Sequence, residues 1–324
     1  ETFASVSSSS SSSSFGCMGI LSALVVMLAV VVGLVWNQAA SPPSLDYGTG
    51  SMFDVIAGRY DFVNRALALN MDLSWRRIMV SKLFEDVATT ISERPLQFLD
   101  LATGTADVSI LLAQTAAATE SSPMSGIQIK GVDPSANMIA IGRDKVQNLQ
   151  LENVIQLELG DARELKGIDT GSIHGITMAF GIRNVMEKDL VACEMHRVLT
   201  LKGTVAILEF SEPTLEDGGF VGYYLARPFI RHVVPWVGAI LSGKPREYLH
   251  LQNSISHFPP PSEFTTFLES LSCPVAADDD SNQLKYHGRF RMKSVTQLNF
   301  GSVQLYLATP IITTTTTTTT NAKH

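Results

Sequence analysis

One short segment, Phe98-Leu-Asp-Leu-Ala-Thr-Gly-Thr-Ala-Asp107, constrains the fold of this chain more than any other. Its apolar first half is typical of a buried strand, which ends near the acidic Asp100. The small residues that follow, Gly104 among them, predict a tight turn that opens a helix from Val108 onward. Such a turn lets a ligand approach the backbone closely, and the first N–H groups of the helix point toward that ligand. The segment therefore predicts a nucleotide-like cofactor at the carboxyl end of a parallel sheet.

Strand and helix patterns alternate from about residue 95 to residue 210, which predicts a parallel sheet with helices on both faces. The predicted strands are Gln97–Ala102, Ile127–Val132, Ile155–Leu159, Gly175–Phe180 and Thr204–Phe210, and the predicted helices are Val108–Ala117, Pro134–Gln147, Glu187–Leu199 and, further on, Ser262–Ser272 with Ser262 as N-cap. Two last strands, Val295–Phe300 and Val303–Thr309, predict a terminal antiparallel hairpin. We therefore expect an α/β fold: a Rossmann-like, seven-stranded sheet of the class I S-adenosylmethionine-dependent methyltransferase type.

Polar and small residues follow three of the predicted parallel strands. A carboxylate after the second strand can accept hydrogen bonds from both hydroxyls of a ribose, and one after the third can bind an adenine amine. Acidic residues at strand ends are also common turn formers, but three in register point to a binding site. The predicted cofactor-binding residues are Asp100, Gly104, Thr105, Asp133, Asp161 and Ala162.

The first turn lacks the full set of glycines that binds a pyrophosphate, because Ala106 and Ile110 occupy positions where further glycines are expected. A cofactor without phosphate, S-adenosylmethionine, suits this turn better. A nicotinamide-dependent oxidoreductase, which the strand, turn and helix alone would also suggest, is the weaker interpretation.

Composition excludes several other classes of function. The net charge of −7 argues against a nucleic-acid partner. Cys17, Cys193 and Cys273 lie far apart in sequence, so we interpret them as packing residues and not as a disulfide or metal site. The histidines show no metal-ligand spacing, and no metal is expected.

The two ends of the chain differ from the middle. Residues 7–14 are all serine, residues 313–320 are all threonine, and Gly19–Trp36 carries no charge. That apolar stretch can serve either as a targeting signal or as a membrane anchor. We therefore divide the chain into a Ser-rich leader (1–44), a methyltransferase domain (45–310) with a substrate cap (212–258), and a disordered Thr-rich tail (311–324).

Three motifs carry a resemblance to a known family. They are Met52-Phe-Asp-Val-Ile-Ala-Gly-Arg-Tyr60-Asp-Phe-Val-Asn64 followed by Trp75-Arg-Arg77, then Phe180-Gly-Ile-Arg-Asn-Val185, and then Arg197-Val-Leu-Thr-Leu-Lys-Gly-Thr-Val-Ala-Ile-Leu-Glu-Phe-Ser211. In this order they resemble the signatures of the ubiquinone/menaquinone biosynthesis C-methyltransferase family. The resemblance covers about residues 50–310, nearly the whole predicted domain.

The resemblance implies methyl transfer from S-adenosylmethionine to a ring carbon of a lipophilic, polyprenylated quinol. It implies that Arg183 stabilises phenolate charge or orients a water molecule, that Asn184 positions a ring oxygen, and that Tyr60 closes over the cofactor. Ala179 replaces a frequent Ser, which leaves a backbone contact to the cofactor. The residues do not distinguish a benzoquinol from a naphthoquinol.

Departures from the family pattern keep an alternative open. Asp72 stands where the family usually has His, and Ala106 replaces a common Gly, so a non-catalytic cofactor-binding subunit of a quinone-synthesis complex is the second hypothesis. Residues 278–290 are expected to form an inserted loop. Residues 219–241, apolar and aromatic, are expected to form a cap, a wall for an isoprenoid tail, or a patch that rests on a membrane surface.

The resemblance also implies a cellular location. A eukaryotic member is expected at the matrix side of the mitochondrial inner membrane or in a plastid. It is expected there in a quinone-synthesis complex or as a homodimer.

Overall fold

The computed structural model describes residues 50–119, 126–243, 245–275 and 284–316. All of them belong to a single compact unit, Ser44–His324. The predicted leader, with its apolar stretch, lies outside the described residues, as does Cys17. Within the described ranges, no helix is both long and apolar enough to cross a bilayer.

A mixed eight-stranded sheet forms the centre of the molecule, with strand order β3-β2-β1-β4-β5-β8-β7-β6. The first five strands pair in parallel, and β8 then runs antiparallel to β5 and to β7. The strands are β1 (Leu96–Leu101), β2 (Ile127–Asp133), β3 (Ile155–Leu159), β4 (Ile173–Ala179), β5 (Leu199–Phe210), β6 (Cys273–Pro274), β7 (Leu284–Leu298) and β8 (Val303–Thr316). The α/β class and the terminal hairpin are confirmed, and the two-residue β6 is the strand beyond the expected seven.

Helices cover both faces of this sheet and supply two hydrophobic cores. The helices are α1 (Ser51–Leu67), α2 (Met71–Thr90), α3 (Asp107–Thr119), α4 (Ala136–Asn148), α5 (Lys188–Val198), α6 (Leu215–Val221), α7 (Val234–Ser242), α8 (Pro245–His257) and α9 (Pro261–Ser270). One core joins α2, α3 and α4 to the sheet, and the other joins α5 and α9 to its opposite face. Strands buried on both faces read as continuous apolar runs, which is why β1, β4 and β5 were recognisable in the sequence.

The predicted cap is helical. Between α6 and α7 the backbone forms two π-helical segments, Gly222–Ala226 and Phe229–Val233, and α8 completes the region at His257. Mixed aromatic, Gly and Pro content hides the helical period in this stretch, so the sequence showed only that no strand was present.

Three expectations about the C-terminal part were wrong. Residues 284–290 of the expected loop belong to β7, and residues 311–316 of the expected disordered tail belong to β8, since these two long strands pair along their whole length. Helix α9 starts at Pro261, one residue before the expected N-cap, because proline fits the first turn of a helix.

The interpretation of the cysteines as packing residues was also wrong for two of them. Cys193 of α5 and Cys273 of β6 form a disulfide with a Cα–Cα distance of 5.2 Å. They are 80 residues apart in sequence, and sequence separation says nothing about the distance that the fold creates between them.

Candidate active site

Asp100 organises the turn that follows β1. Its Oδ2 accepts hydrogen bonds from Thr103 Oγ1 at 2.6 Å and Ser109 Oγ at 2.8 Å, and its Oδ1 accepts from Thr177 Oγ1 at 2.7 Å. Burial raises the pKa of this carboxyl despite the three hydroxyl donors. Asp100 therefore holds the turn and the start of α3 together, and a direct contact with a cofactor stays a prediction.

Gly104 and Asp133 lie next to each other in a cleft at the carboxyl ends of β1 and β2. Gly104 has a φ of +55°, and a Cβ built there would meet no atom within 4 Å. Its N–H donates to Asp133 Oδ2 at 2.9 Å, and the N–H of Ser135 donates to Oδ1 at 2.8 Å. Burial raises the pKa of Asp133 to about 6 even with these two donors. The open space beside Gly104 can therefore receive a ligand next to a carboxylate that is largely buried from water.

This cofactor cleft has an empty volume of about 680 Å³, including its open mouth. The predicted residues that line it are Gly104, Asp133, Asp161, Ala162 and Ala179. Burial alone would raise the pKa of Asp161, but hydrogen bonds from Arg163 outweigh burial and hold that pKa below its usual value. The ends of β2 and β3 and the exit of β4 thus meet in one cleft, as the strand-end pattern predicted.

Thr105, the remaining predicted contact, faces a different neighbour. Its hydroxyl donates to Asp61 Oδ1 at 2.9 Å, and Lys145 Nζ lies 2.6 Å from Asp61 Oδ2 and 2.8 Å from Thr105 Oγ1. Thr105 lines a smaller cavity beside the cleft, together with Tyr60 and Asp107. The structure therefore gives Thr105 a part in docking α1, and its contact with a cofactor stays a prediction.

Helix α1 covers the cleft through polar contacts at both of its ends. Near its start, Asp54 Oδ1 accepts from the N–H of Asn137 at 3.0 Å, and near its end Arg65 forms an ion pair with Asp107 at 3.0 Å. Tyr60 lies between these contacts and lines the cofactor cleft as well as the cavities on either side of it. Burial raises the pKa of Tyr60, so its hydroxyl remains protonated and can act only as a hydrogen-bond donor or acceptor.

Arg183 and Asn184 form a short 3-10 helix, Ile182–Asn184, directly after β4. Arg183 is buried, and its Nη1 donates to Glu209 Oε1 and to the carbonyl of Phe180, each at 2.6 Å. Phe180 has a φ of +59°, which is costly for a bulky residue. This strained exit from β4 turns the two polar side chains toward the cleft.

Asn184 carries a polar atom that needs a ligand. Within the described residues its buried Oδ1 has no hydrogen-bond partner, and the same holds for Nε of Arg183. Leaving such a group unpaired costs about 1–3 kcal/mol. Because Asn184 lines both the cofactor cleft and the cavity beyond it, a substrate hydroxyl at the junction would satisfy it.

A second, larger cavity adjoins the cofactor cleft and is mainly apolar. This apolar cavity has an empty volume of about 1170 Å³, including its mouth, and Trp75, Phe210, Phe229, Ile230 and Val234 are among its lining residues. It shares Phe53, Tyr60, Phe180 and Asn184 with the cofactor cleft. The two spaces therefore meet at the side chains that the family motifs mark.

Two residues of this site were not among the predicted site residues. Glu209, which the sequence marked as a strand-end residue able to line the substrate side, is fully buried and pairs with Arg183. His250 of α8 lines the apolar cavity. The signal for His250 was the amphipathic spacing of His250, Leu251, Ser254 and Ile255, which puts them on one helix face.

Asp72, the departure from the family pattern, is also in the apolar cavity. It is buried and forms an ion pair with Arg76, one helical turn further along α2. Its charge is thereby compensated inside an otherwise apolar space.

The residues of the cleft fit S-adenosylmethionine. The open space beside Gly104 suits a cofactor without phosphate, and the Asp133 carboxylate suits the hydroxyls of a sugar. The unpaired Oδ1 of Asn184 would accept a hydrogen bond from a second reactant. The fold and this site define an S-adenosylmethionine-dependent methyltransferase.

Comparison with known proteins identifies the family. A sequence model of the ubiE/COQ5 methyltransferase family matches residues 45–274, and the chain belongs to that family. It is 36% identical over 223 residues to the ubiquinone/menaquinone biosynthesis C-methyltransferase UbiE of Geotalea uraniireducens, covering 68% of this chain and 85% of the relative. It is 35% identical over 224 residues to the demethylmenaquinone methyltransferase of Thermus thermophilus, covering 69% of this chain and 92% of the relative.

Solved structures give a more distant comparison. A SAM-dependent methyltransferase from Aquifex aeolicus aligns with a TM-score of 0.40 at 13% identity, covering 72% of this chain and 89% of that one.

Proposed function

We propose that this protein transfers a methyl group from S-adenosylmethionine to a ring carbon of a quinol that carries an isoprenoid tail. The observation that supports this most strongly is the junction of two cavities. The cofactor cleft and the apolar cavity share Tyr60, Phe180 and Asn184. A ring at this junction would face the cofactor on one side and extend an apolar tail away from it.

The chemistry of the junction suits a phenolic ring. Bound S-adenosylmethionine supplies an electrophilic methyl group, and a quinol ring carbon becomes a good nucleophile only as a neighbouring hydroxyl loses its proton. Asn184 Oδ1 accepts a hydrogen bond from the second ring hydroxyl of the quinol and so fixes the ring. The Nε–H of Arg183 has no partner among the described residues, and it stabilises the oxygen that loses its proton as negative charge develops.

Glu209 and Phe210 hold the Arg183 guanidinium in place for this role. Nη1 of Arg183 is paired with Glu209, and the guanidinium carbon lies 5.4 Å from the centre of the Phe210 ring. Arg183 is too basic to remove a proton itself. Its contribution is therefore electrostatic and positional.

The apolar cavity explains how a tail would add affinity. Each methylene that moves from water into such a space contributes roughly 0.8 kcal/mol, or about fourfold in affinity. Isoprenoid length should therefore change KM strongly and kcat weakly.

The test is an assay of the full chain with S-adenosylmethionine carrying a labelled methyl group. The acceptors are a 2-methoxy-6-prenyl-1,4-benzoquinol and a prenylated demethylnaphthoquinol, each with a short and a long tail. Label in the ring of either acceptor, with a lower KM for the longer tail, is the expected result. Cofactor binding without transfer to any quinol would instead support the non-catalytic subunit.

We also propose that the protein works at a membrane surface, with the cap as the contact. Large apolar side chains are exposed on the cap, and we call this group the cap patch: Phe220, Tyr224, Leu225, Trp236 and Ile240. Phe220 is 71% exposed and Leu225 63% exposed. Phe229, also exposed on the cap, lines the apolar cavity as well, so the patch is continuous with the proposed site of the tail.

The physical character of the cap patch favours lipid hydrocarbon over anionic headgroups. Arg227 and Arg231, the two arginines within residues 219–241, both form ion pairs with Glu212 and so bring little free positive charge to the cap patch. Binding to neutral phosphatidylcholine vesicles should therefore persist at high salt, because salt screens charges and leaves apolar burial unchanged.

A triple variant tests the membrane proposal. Replacing Phe220, Leu225 and Ile240 by Ser should lower vesicle cosedimentation, by about fivefold for each side chain at roughly 1 kcal/mol apiece. The matched control is Leu201→Ser, since Leu201 is 62% exposed on β5, outside the cap. Equal binding by the triple variant and the parent would refute the proposal.

The location in the cell and the assembly state stay predictions. The mitochondrial inner membrane or a plastid remains the expected site, where the protein works in a quinone-synthesis complex or as a homodimer. Imaging of the tagged full-length protein and light scattering of the purified protein test them.

A further inference from the structure

Removal of the quinol hydroxyl proton needs an acceptor, and the apolar cavity holds few candidates. Its titratable lining residues in the part of the chain that the structure describes are Tyr60, Asp72, Arg76, Arg183 and His250. The two arginines are permanently protonated. Tyr60 is also protonated, since burial raises its pKa. Asp72 pairs with Arg76 through Oδ2. Its buried Oδ1 has no hydrogen-bond partner among the described residues, but a carboxylate is a weaker base than a neutral imidazole.

His250 differs from the other four because its side chain is both uncharged and basic. It is half-buried on α8, and that helix packs against the 3-10 helix that carries Arg183 and Asn184. Burial lowers the pKa of His250, and the positive charge of Arg183 lowers it further. The imidazole is therefore neutral near pH 7, and a neutral imidazole has a nitrogen lone pair that can accept a proton.

We propose that His250 accepts the hydroxyl proton of the quinol during methyl transfer. The proposal rests on the function proposed above and names a catalytic residue of that same site. Its basis is position together with chemistry. His250 lines the cavity that receives the ring, and a neutral imidazole is a stronger base than a carboxylate, the other type of group among the described lining residues that can accept a proton.

The proton balance of the reaction is complete with this assignment. The O–H bond of the quinol breaks, its proton moves to an imidazole nitrogen, and its electron pair raises the electron density of the ring carbon that bonds to the methyl group. That carbon then loses its own hydrogen as a proton, and the ring becomes aromatic again. One proton returns to the ring oxygen, so one proton per turnover leaves to solvent.

Arg183 has a second effect in this scheme. Once His250 is protonated, its charge adds to those of Arg183 and Arg76 in the same cavity, and the repulsion favours release of the proton through the open mouth. Among the described residues, the titratable groups that line this cavity with His250 are Arg183 on the 3-10 helix, Tyr60 on α1, and Asp72 and Arg76 on α2. Helix α7, which packs against α8, contains no titratable residue.

The test compares His250→Gln with His257→Gln in the full chain. His257 lies on the same helix but is exposed at its C-terminal end, so it controls for replacing a histidine on α8. With saturating cofactor, a general base typically contributes 10²- to 10⁴-fold, so His250→Gln should lower kcat by about 100-fold or more. KM for the quinol should stay close to that of the parent, and His257→Gln should behave as the parent.

The pH profile separates a proton acceptor from a structural residue. In the parent, kcat should rise with pH through a pKa below the ordinary histidine value and then level off. His250→Gln should lose that rise. Saturating S-adenosylmethionine keeps the titration of Asp133 out of kcat. For His250→Ala, added imidazole should restore turnover in proportion to its neutral form.

A binding measurement without turnover distinguishes the two proposals. In nuclear magnetic resonance spectra of the parent without cofactor, the imidazole signals absent from His250→Gln should shift when a prenylated methoxyhydroquinone is added. If the parent methylates a quinol and His250→Gln keeps the same kcat and pH profile, the role of His250 is overturned while the proposed function stands. A parent that methylates no quinol overturns the proposed function and this inference with it.

Discussion

The ion pair between Arg183 and Glu209 should hold the active site together, and Glu209→Gln tests this most sharply. Glu209 Oε1 accepts from Arg183 Nη1 at 2.6 Å and from the N–H of Phe210 at 2.8 Å, and Oε2 accepts from the N–H of Arg183 at 3.2 Å. Glu209 is 0% exposed and Arg183 8%. Glutamine keeps one acceptor oxygen but leaves the buried guanidinium without a counter-charge.

Removing one partner of a buried ion pair typically costs about 3–5 kcal/mol, because the remaining charge has neither water nor a partner. Domain stabilities are about 5–15 kcal/mol, so this loss is a large fraction of the total. At about 2–4 °C per kcal/mol for a domain of this size, Tm should fall by roughly 6–20 °C.

The assay is urea unfolding followed by far-ultraviolet circular dichroism, with the free energy extrapolated to zero denaturant. Arg183→Met combined with Glu209→Gln should recover at least half of the loss, because the double variant buries no charge. The control is Glu158→Gln on β3, whose partly exposed pair with Lys130 should contribute about 1 kcal/mol or less. If Glu209→Gln lowers the free energy of unfolding by less than about 1 kcal/mol, buried Arg183 does not depend on the counter-charge of Glu209.

Three further predictions concern the cofactor cleft and the disulfide. Protonation removes the charged acceptor that Asp133 offers, so calorimetry should show S-adenosylmethionine binding weaken as pH falls through about 6, and Asp133→Asn should bind weakly at every pH. Gly104→Ala should weaken that binding strongly. The control is Gly171→Ala, because Gly171 also has a positive φ and open space around its Cβ position but lies away from the cleft. This control variant should lose only about 1 kcal/mol of stability and bind the cofactor normally. Cys193→Ser should lower the free energy of unfolding by about 4 kcal/mol in the chain-entropy picture for a loop of this length, and alkylation of the unreduced parent at Cys193 and Cys273 should fail. The role of Gly104 would be contradicted if Gly104→Ala bound the cofactor normally, and that of Asp133 if Asp133→Asn bound it as the parent does. Free thiols in the parent would contradict the disulfide.

The sequence was sufficient for the elements that depend on local pattern. The apolar runs of β1, β4 and β5 indicated the parallel part of the sheet, and the ends of β2, β3 and β4 place Asp133, Asp161 and Ala179 in one cleft. These predictions succeeded because parallel strands end at a common edge, so the ends of separate strands become neighbours without further information.

The remaining features depend on long-range geometry that has no local signal. The sequence could not show that Cys193 and Cys273 meet, because β6 is only two residues long and exists only by pairing with β7. It could not show that one oxygen of Asp100 is used by the turn and the other by Thr177 of β4, or that Thr105 is bonded to Asp61 of a distant helix. The apolar segments of the cap likewise revealed no helical period, because the helices there are short and partly π-helical.

Asp133 and the open space beside Gly104 should receive the sugar of S-adenosylmethionine while Asn184 faces the methyl acceptor. A crystal structure with S-adenosylhomocysteine and a prenylated hydroquinone tests this arrangement directly. Both ribose hydroxyls should lie within hydrogen-bond distance of the Asp133 carboxylate, and a ring hydroxyl should be bonded to Asn184 Oδ1. A nucleoside bound away from Asp133, or a ring outside the apolar cavity, would contradict it.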